Sequence, residues 1–531
     1  MKRTFLLPAA LLLIVVTSLA TAAFAQKSGG TLRMPLSNNP PSASLLEEST
    51  IAVMQGFMLV YNNLVVFDQK EKMARPETIR PDLATEWSWS SDNKVLTLKL
   101  RQGVKWHDGK PFTSEDVKCT WDMIQEKRPN NWRKNTHKDW YENLKEVTAA
   151  GPYEVKFTLE RRQPSFLSFL ASGWSGVYPC HVDARVMRQK PIGTGPFKVA
   201  EWKPGDVIRL VKNRDYWKPG LPYLDGIDYR IIPSQATRTL AFVAGQSDIT
   251  GPSDVSANTL KDIRAQLPKA VCETTASSIT GGLMINHKAP PFDNPKLRRA
   301  ISLALDRREF VKSTQGDGRL GGILMSPPYG VWGLTPEQLE VVPGFGKNPE
   351  RNLAEARKLM REAGYGPDNK LKTTYIVRMS TPDWLAGASL LADQLRKIYI
   401  EGEIEQKDYT VLTTAFLKGA FTMAFHKSGT SIDDPDVLFY ENYKCASAHN
   451  YSRYCNKDVD AKIDEQSSIV DPVKRKRLVQ EIDLQLQQDT ARPVMYQNMN
   501  TSCWHPYVKG YVRSVNGIYT HNRMEDIWLD K

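Results

Sequence analysis

The 531-residue chain lacks the short signatures of hydrolytic chemistry. It contains no G-x-S-x-G, no S-x-x-K with its partner motifs and no H-E-x-x-H, which removes the usual sequence grounds for a serine hydrolase, an acyl-transferring β-lactamase relative or a zinc protease. Histidine is scarce, with eight residues and no paired spacing, so nothing in the pattern builds a metal site. No segment beyond the first residues approaches the roughly 18 consecutive apolar residues that a membrane-spanning helix needs. There are no internal repeats and no low-complexity linker. Basic residues exceed acidic ones, for a net charge of +12, but they are spread along the chain. The densest cluster, Lys474-Arg-Lys-Arg477, lies inside a helical pattern and reads as a solvated helix face rather than a nucleic-acid patch.

The first residues carry a short cationic start, Met1-Lys2-Arg3, an apolar run from Phe5 to Ala20, and Ala23-Phe24-Ala25 before Gln26. This pattern reads as a cleaved signal peptide over residues 1–25. A lipid-anchored form would need a cysteine just after the cleavage site, and the first cysteine is Cys119. The expected location is therefore the periplasm, without an anchor. Six cysteines in an oxidising compartment make disulfides available. Cys445 and Cys455 flank His449 in a C-x3-H-x5-C spacing, which offers three ligands where structural zinc takes about four. A local disulfide is the better reading, worth about 2 to 3 kcal/mol for so short a loop. The pairing of Cys119, Cys180, Cys272 and Cys503 stays open.

A chain of this length is too long for one simple core. Lys94–Arg101 alternates, with Leu96, Leu98 and Leu100 on one face; Glu154–Glu160 does the same with Val155, Phe157 and Leu159. Asp206–Lys212 and Ile227–Ile232 add strands. After about residue 290 the period becomes helical: Leu297, Ile301 and Leu305 follow the cap Asp293-Asn-Pro295, and Leu353, Ala356, Met360 and Ala363 stop at Gly364. Further helical patterns run over 384–398, 459–469 and 473–488. The fold class is α/β, with a strand-rich first half and a helix-rich second lobe. His107-Asp108 looks chemical but sits between a strand and the turn Asp108-Gly109, ahead of the helix cap Thr113-Ser-Glu-Asp116, so its reading is structural.

The segment WSWSSDNKVLTLKLRQGVKWHDGKPFTSEDVK (87–118) resembles the signature of the family 5 solute-binding proteins that serve ABC importers for dipeptides, oligopeptides and nickel complexes. The likeness continues through IGTGPFKVAEWKPGDVIRLVKNRDYW (192–217), PFDNPKLRRAISLALDRREFV (291–311), LAEARKLMREAGY (353–365) and YVKGYV (507–512). The resemblance implies a two-lobed periplasmic binding protein fold, class II-like, with an extra subdomain in lobe I at about 50–190. It places lobe I at 26–284, lobe II at 285–495 and a C-terminal return to lobe I at 496–531. Hinge segments are expected near 282–287 and 493–497, closing the lobes around a small-molecule ligand. The implied partner is an inner-membrane ABC permease; a monomer is expected, with no cofactor, no nucleic acid and no catalysis.

In dipeptide-binding relatives an aspartate takes the ligand's amino group and an arginine its carboxylate. Aligned on Asp434-Pro-Asp436, the amine-binding position falls on Ser431, so the ammonium anchor is missing unless Asp433 replaces it. An ammonium buried without a charged partner is costly. Arg378 lies at the carboxylate-binding position, and its planar fork suits that task. Tyr61 matches a family segment near the cleft, and Asp434 lies in the same ligand stretch. Trp174, Trp332, Trp384 and Trp504 are rings available for stacking on a ligand, although buried tryptophans are more often core. The expected ligand is a peptide-like or carboxylate-bearing solute. The alternatives are an oligosaccharide or a metal chelate, or else a periplasmic hydrolase or chaperone.

Overall fold

The computed structural model describes residues 26–129, 131–252, 254–313, 318–379, 382–430, 432–515 and 517–531. The signal peptide read at 1–25 and the candidate Ser431 lie outside the described residues.

The alternating segments form strands as their patterns dictate. Val95–Leu100 and Glu154–Leu159 are neighbours in a four-stranded antiparallel sheet with Ala84–Trp89 and Leu144–Gly151 at its edges. Their inward residues, Leu96, Leu98, Val155 and Phe157, are fully buried and close over Trp121. A second four-stranded sheet pairs Thr31–Leu36 in parallel with Gly226–Ile231, followed by Val207–Lys212 and Phe197–Lys203. One continuous apolar core joins both sheets to the C-terminal residues Trp504, Val508, Met524, Ile527 and Leu529. Arg33 fastens that return by pairing with Asp248 at 2.6 Å, and the Tyr507 hydroxyl donates to the same carboxylate.

The remaining lobe is built on a six-stranded sheet. Its order is Gly318–Arg319, Val494–Trp504, Val271–Ile285, Met423–Gly429, Leu371–Arg378, Ile400–Lys407. One face packs on the helices Pro295–Ala304, Pro349–Glu362 and Pro382–Arg396 through Leu297, Ile301, Met360, Leu391 and Leu395. Asn294 caps the first of these with Pro295 at its first position, and Gly364 adopts φ +88° just past the end of the second, as their sequences require.

Two long antiparallel strands, Val271–Ile285 and Val494–Trp504, run through both lobes. Their first parts pair from Val271↔Trp504 to Ala276↔Met499; the ladder breaks and resumes at Thr280↔Gln497. The expected hinge at 282–287 overlaps regular pairing, since Ile279–Ile285 is matched residue for residue with Met423–Gly429. On its other side the ladder with Val494–Trp504 shifts register twice, between Ala276 and Thr280 and again between Gly281 and Gly282 at the start of the expected hinge, where the Tyr496 ring lies 2.4 Å from where a Gly281 Cβ would be and only glycine leaves room for it.

All six cysteines are paired: Cys119–Cys180, Cys272–Cys503 and Cys445–Cys455. Cys272–Cys503 ties the crossing strands together and closes a 231-residue separation. Replacing both residues with serine is expected to lower unfolding free energy by about 2 to 5 kcal/mol, read from urea denaturation; an unchanged midpoint and slope would contradict this.

Candidate functional site

The segment 428–436 lies where the lobes meet. Pro435–Asn442 is a short helix whose N-cap is Asp434: its carboxylate accepts from Asp436 N at 3.0 Å. Asp434 also receives two hydrogen bonds from Arg475, at 2.8 and 2.9 Å, and is almost wholly buried. Its acceptor capacity is committed to the fold, so it drops out as a free ligand contact. Arg475 belongs to the cluster read as a solvated helix face; Lys474 and Arg477 are exposed, but Arg475 points inward, stacked 4.7 Å above the Trp332 ring.

Asp436 is fully buried and receives donors from both lobes. Ser165 Oγ at 2.5 Å and Gln163 Nε2 at 3.3 Å reach it from one side, and Gln466 Nε2, Ser467 Oγ and Arg475 Nη2 at 2.5, 2.8 and 3.1 Å from the other. Burial opposes its charge, but Arg475 and these hydroxyl and amide donors outweigh burial and hold the carboxyl below its ordinary range. Arg161 extends the same contact to Tyr440 and Ser467. The lobes are therefore closed upon each other.

Two spaces lie near this contact among the described residues. One, about 20 Å3, is lined by residues including Ser278, Thr280, Met325, Ser428, Thr430 and Asp433; it is room for a single water. The other, about 350 Å3, lies beside Asp436 among residues including Trp140, Glu142, Arg161, Tyr440 and Asp464.

Asp433 is half-buried at the edge of the smaller space. Its Oδ2 accepts from Val331 N at 3.0 Å, and its backbone carbonyl accepts from Trp332 Nε1 at 2.9 Å. Burial pushes its carboxyl up to about 7, against the Val331 hydrogen bond and with help from neighbouring Asp434.

Arg378 ends the strand Leu371–Arg378, which runs parallel to both of its neighbours. It thus stands at the carboxyl edge of parallel strands, where open α/β sheets bind ligands. Its guanidinium lies 4.7 Å from the Tyr409 ring and 5.8 Å from Trp384. Nε is buried with no hydrogen-bond partner among the described residues, and burial lowers the guanidinium's pKa, with Tyr409 partly opposing. Trp384 is half-buried, with its ring edge-on to Phe425 and His426. His426 Nδ1 accepts from Arg492 Nη2 at 3.0 Å, and burial, with Arg492 and Arg378, disfavours its charged form.

The structure takes two expected residues out of the site. Tyr61 is fully buried, stacked on Tyr178, with its hydroxyl donating to Ala43 O. Trp504 packs edge-on against Tyr511 within the lobe I core. Trp174 is likewise buried, against His137 and Tyr519. His107 serves the fold: it holds the 193–195 loop through Gly195 O and Gly193 N, while Asp108 pairs with His181 at 2.7 Å.

Residues 78–450 match the family described as bacterial extracellular solute-binding proteins, family 5. The chain belongs to that family. It is a solute-binding protein of the ABC-importer type. It is 28% identical over 437 residues to the oligopeptide-binding protein AppA of Bacillus subtilis, covering 78% of this chain and 77% of that one. Its fold is that of the periplasmic binding protein DppA of Helicobacter pylori in complex with peptide STSA, at TM-score 0.82, 24% identity and coverage of 95% and 99%. It is similarly close to AgaA from A. tumefacien R10 in complex with agropinic acid, at TM-score 0.81, 23% identity and coverage of 94% and 99%.

Asp433 supplies a test independent of any ligand. With a folded pKa of about 7 against an ordinary carboxyl value of 3.8, the folded chain holds a proton that the unfolded chain has released between those values. Stability from this group is full below about pH 4 and is lost as pH rises through about 7. Asp433→Asn should therefore raise unfolding free energy by about 1 to 3 kcal/mol at pH 8 and leave it nearly unchanged at pH 4. An equal effect at both pH values would contradict the shift.

Proposed function

We propose that this chain is the periplasmic component of an ABC importer that captures a small carboxylate-bearing solute between its lobes and presents it to an inner-membrane permease. In this reading the mature chain begins at Gln26, works as a monomer without a cofactor and performs no catalysis. The lobes divide near residue 284, with 496–531 returning to lobe I.

The observation that carries the choice of solute is Arg378. A guanidinium held between two aromatic rings at the carboxyl edge of parallel strands, with Nε unpartnered, has donor capacity for a carboxylate arriving from the cleft. Asp433 retains one oxygen for an ammonium, but with its pKa raised to about 7 it is a weak anchor. The ligands named for relatives range from oligopeptides to agropinic acid, so a named acid stands among them beside peptides.

Isothermal titration of N-blocked peptides, opines and dicarboxylates, each beside its amide, tests the reading. The acid should bind and its amide should not, and Arg378→Ala should weaken the acid by 10- to 100-fold, about 1.4 to 2.8 kcal/mol. An amide that binds as well as its acid would overturn the assignment.

A further inference from the structure

A second cation shares the ring that Arg378 approaches. Lys427, in the strand Met423–Gly429, holds its amine 5.8 Å from the Trp384 ring, which the Arg378 guanidinium also approaches at 5.8 Å. The same amine lies 5.9 Å from the Tyr496 ring. The backbone fixes this position. Lys427 pairs with Gly281 in one ladder, Tyr496 pairs with Gly281 in the next, and the Tyr496 ring fills the place of the missing Cβ. The Lys427 side chain is only 11% exposed, so its charge needs a counterion close by. Asp383 supplies one, from the first turn of Pro382–Arg396, the helix that also carries Trp384.

The other cations of this edge are also engaged. Lys407, opposite Arg378 in the pairing with Ile400–Lys407, is matched with Glu405 at 2.6 Å. Arg492 donates to His426 Nδ1 at 3.0 Å and to Asn442 Oδ1 at 2.9 Å. Arg378 has aromatic rings about its guanidinium and an Nε without a partner among the described residues. Of the Lys427–Asp383 pair, the carboxylate is the more exposed member, at 51%. A solute therefore meets one guanidinium able to take a carboxylate and, across the same indole, an anion that covers its lysine. A further acid group brought near Asp383 is repelled, because like charges a few ångströms apart at a protein surface oppose each other.

We propose that the Lys427–Asp383 pair selects the charge of the solute: Arg378 takes one carboxylate, and Asp383, which keeps Lys427 from serving as a second anchor, turns away a solute with another acid group beside it. The proposal rests on the reading of the chain as a binder of carboxylate-bearing solutes and narrows it to a single acid group at this end.

Isothermal titration with N-acetyl-Ala-Gln and N-acetyl-Ala-Glu, which differ by one acid group, tests it. The unsubstituted chain should bind the monoacid about 5- to 10-fold more tightly than the diacid. Asp383→Asn uncovers Lys427 and should bring the diacid level with the monoacid or above it. Adding Lys427→Met to Asp383→Asn should take back part of that gain. Lys427→Met alone leaves Asp383 without its counterion and should weaken the diacid by about 10-fold; if Asp383→Asn does not fold, this arm decides. A diacid bound as well as the monoacid by the unsubstituted chain would overturn the proposal. So would a ratio that neither single variant at the pair moves, which marks a purely structural ion pair, or a gain that Lys427→Met leaves whole. If Arg378→Ala weakens both probes while the ratio stays unmoved in Asp383→Asn, only the charge selection fails. If Arg378→Ala weakens neither, or neither binds the unsubstituted chain, the acidic-solute reading fails and the selection with it.

Discussion

The closed arrangement depends on one buried carboxylate. Asp436 accepts hydrogen bonds from Ser165 and Gln163 on one lobe and from Gln466, Ser467 and Arg475 on the other, with no exposure to solvent. A buried ion is tolerated only when its lone pairs are filled. Here they are filled completely only when the lobes meet, since separating them returns Ser165 and Gln163 to water and leaves the carboxylate to the lobe II donors. Arg475 joins Asp436 to Asp434, and Asp434 caps the helix that follows, so a single ionic cluster sets both the start of Pro435–Asn442 and the surface against which the other lobe closes. That commitment explains why Asp434, in the middle of the ligand segment, has nothing left for a ligand.

Much of the architecture was legible from period and capping. Leu96, Leu98 and Leu100 face inward, Asn294-Pro295 starts a helix, and Asp116 accepts from Thr113 N in the capping box expected of that sequence. These are local matters, settled by neighbours in the chain. The site was less legible because its contacts are remote. Arg475 looks like its exposed neighbours Lys474 and Arg477; only the packing of its helix against a carboxylate 39 residues away buries it. Tyr61 and Trp504 were plausible ligand platforms as residue types, but burial in the lobe I core is a property of three-dimensional packing. The pairing of four cysteines could not be chosen because spacing alone allows three connectivities.

Arg378 has an unspent donor at the carboxyl edge of its sheet. Its guanidinium lies between the rings of Tyr409 and Trp384. Asp433 is a carboxyl whose charge burial disfavours, while the larger space beside Asp436 is lined by both Arg161 and the carboxylates Glu142 and Asp464. Because charged hydrogen bonds are worth most where water is excluded, lobe closure over Asp436 strengthens whatever ion pair Arg378 makes.

The most direct measurement is native mass spectrometry of the mature chain after exposure to a bacterial metabolite extract, with the released solute identified by fragmentation. The account predicts one solute per chain, bearing at least one carboxylate or phosphate and lost from Arg378→Ala. A bound solute without an acidic group, or one retained in full by Arg378→Ala, would contradict it.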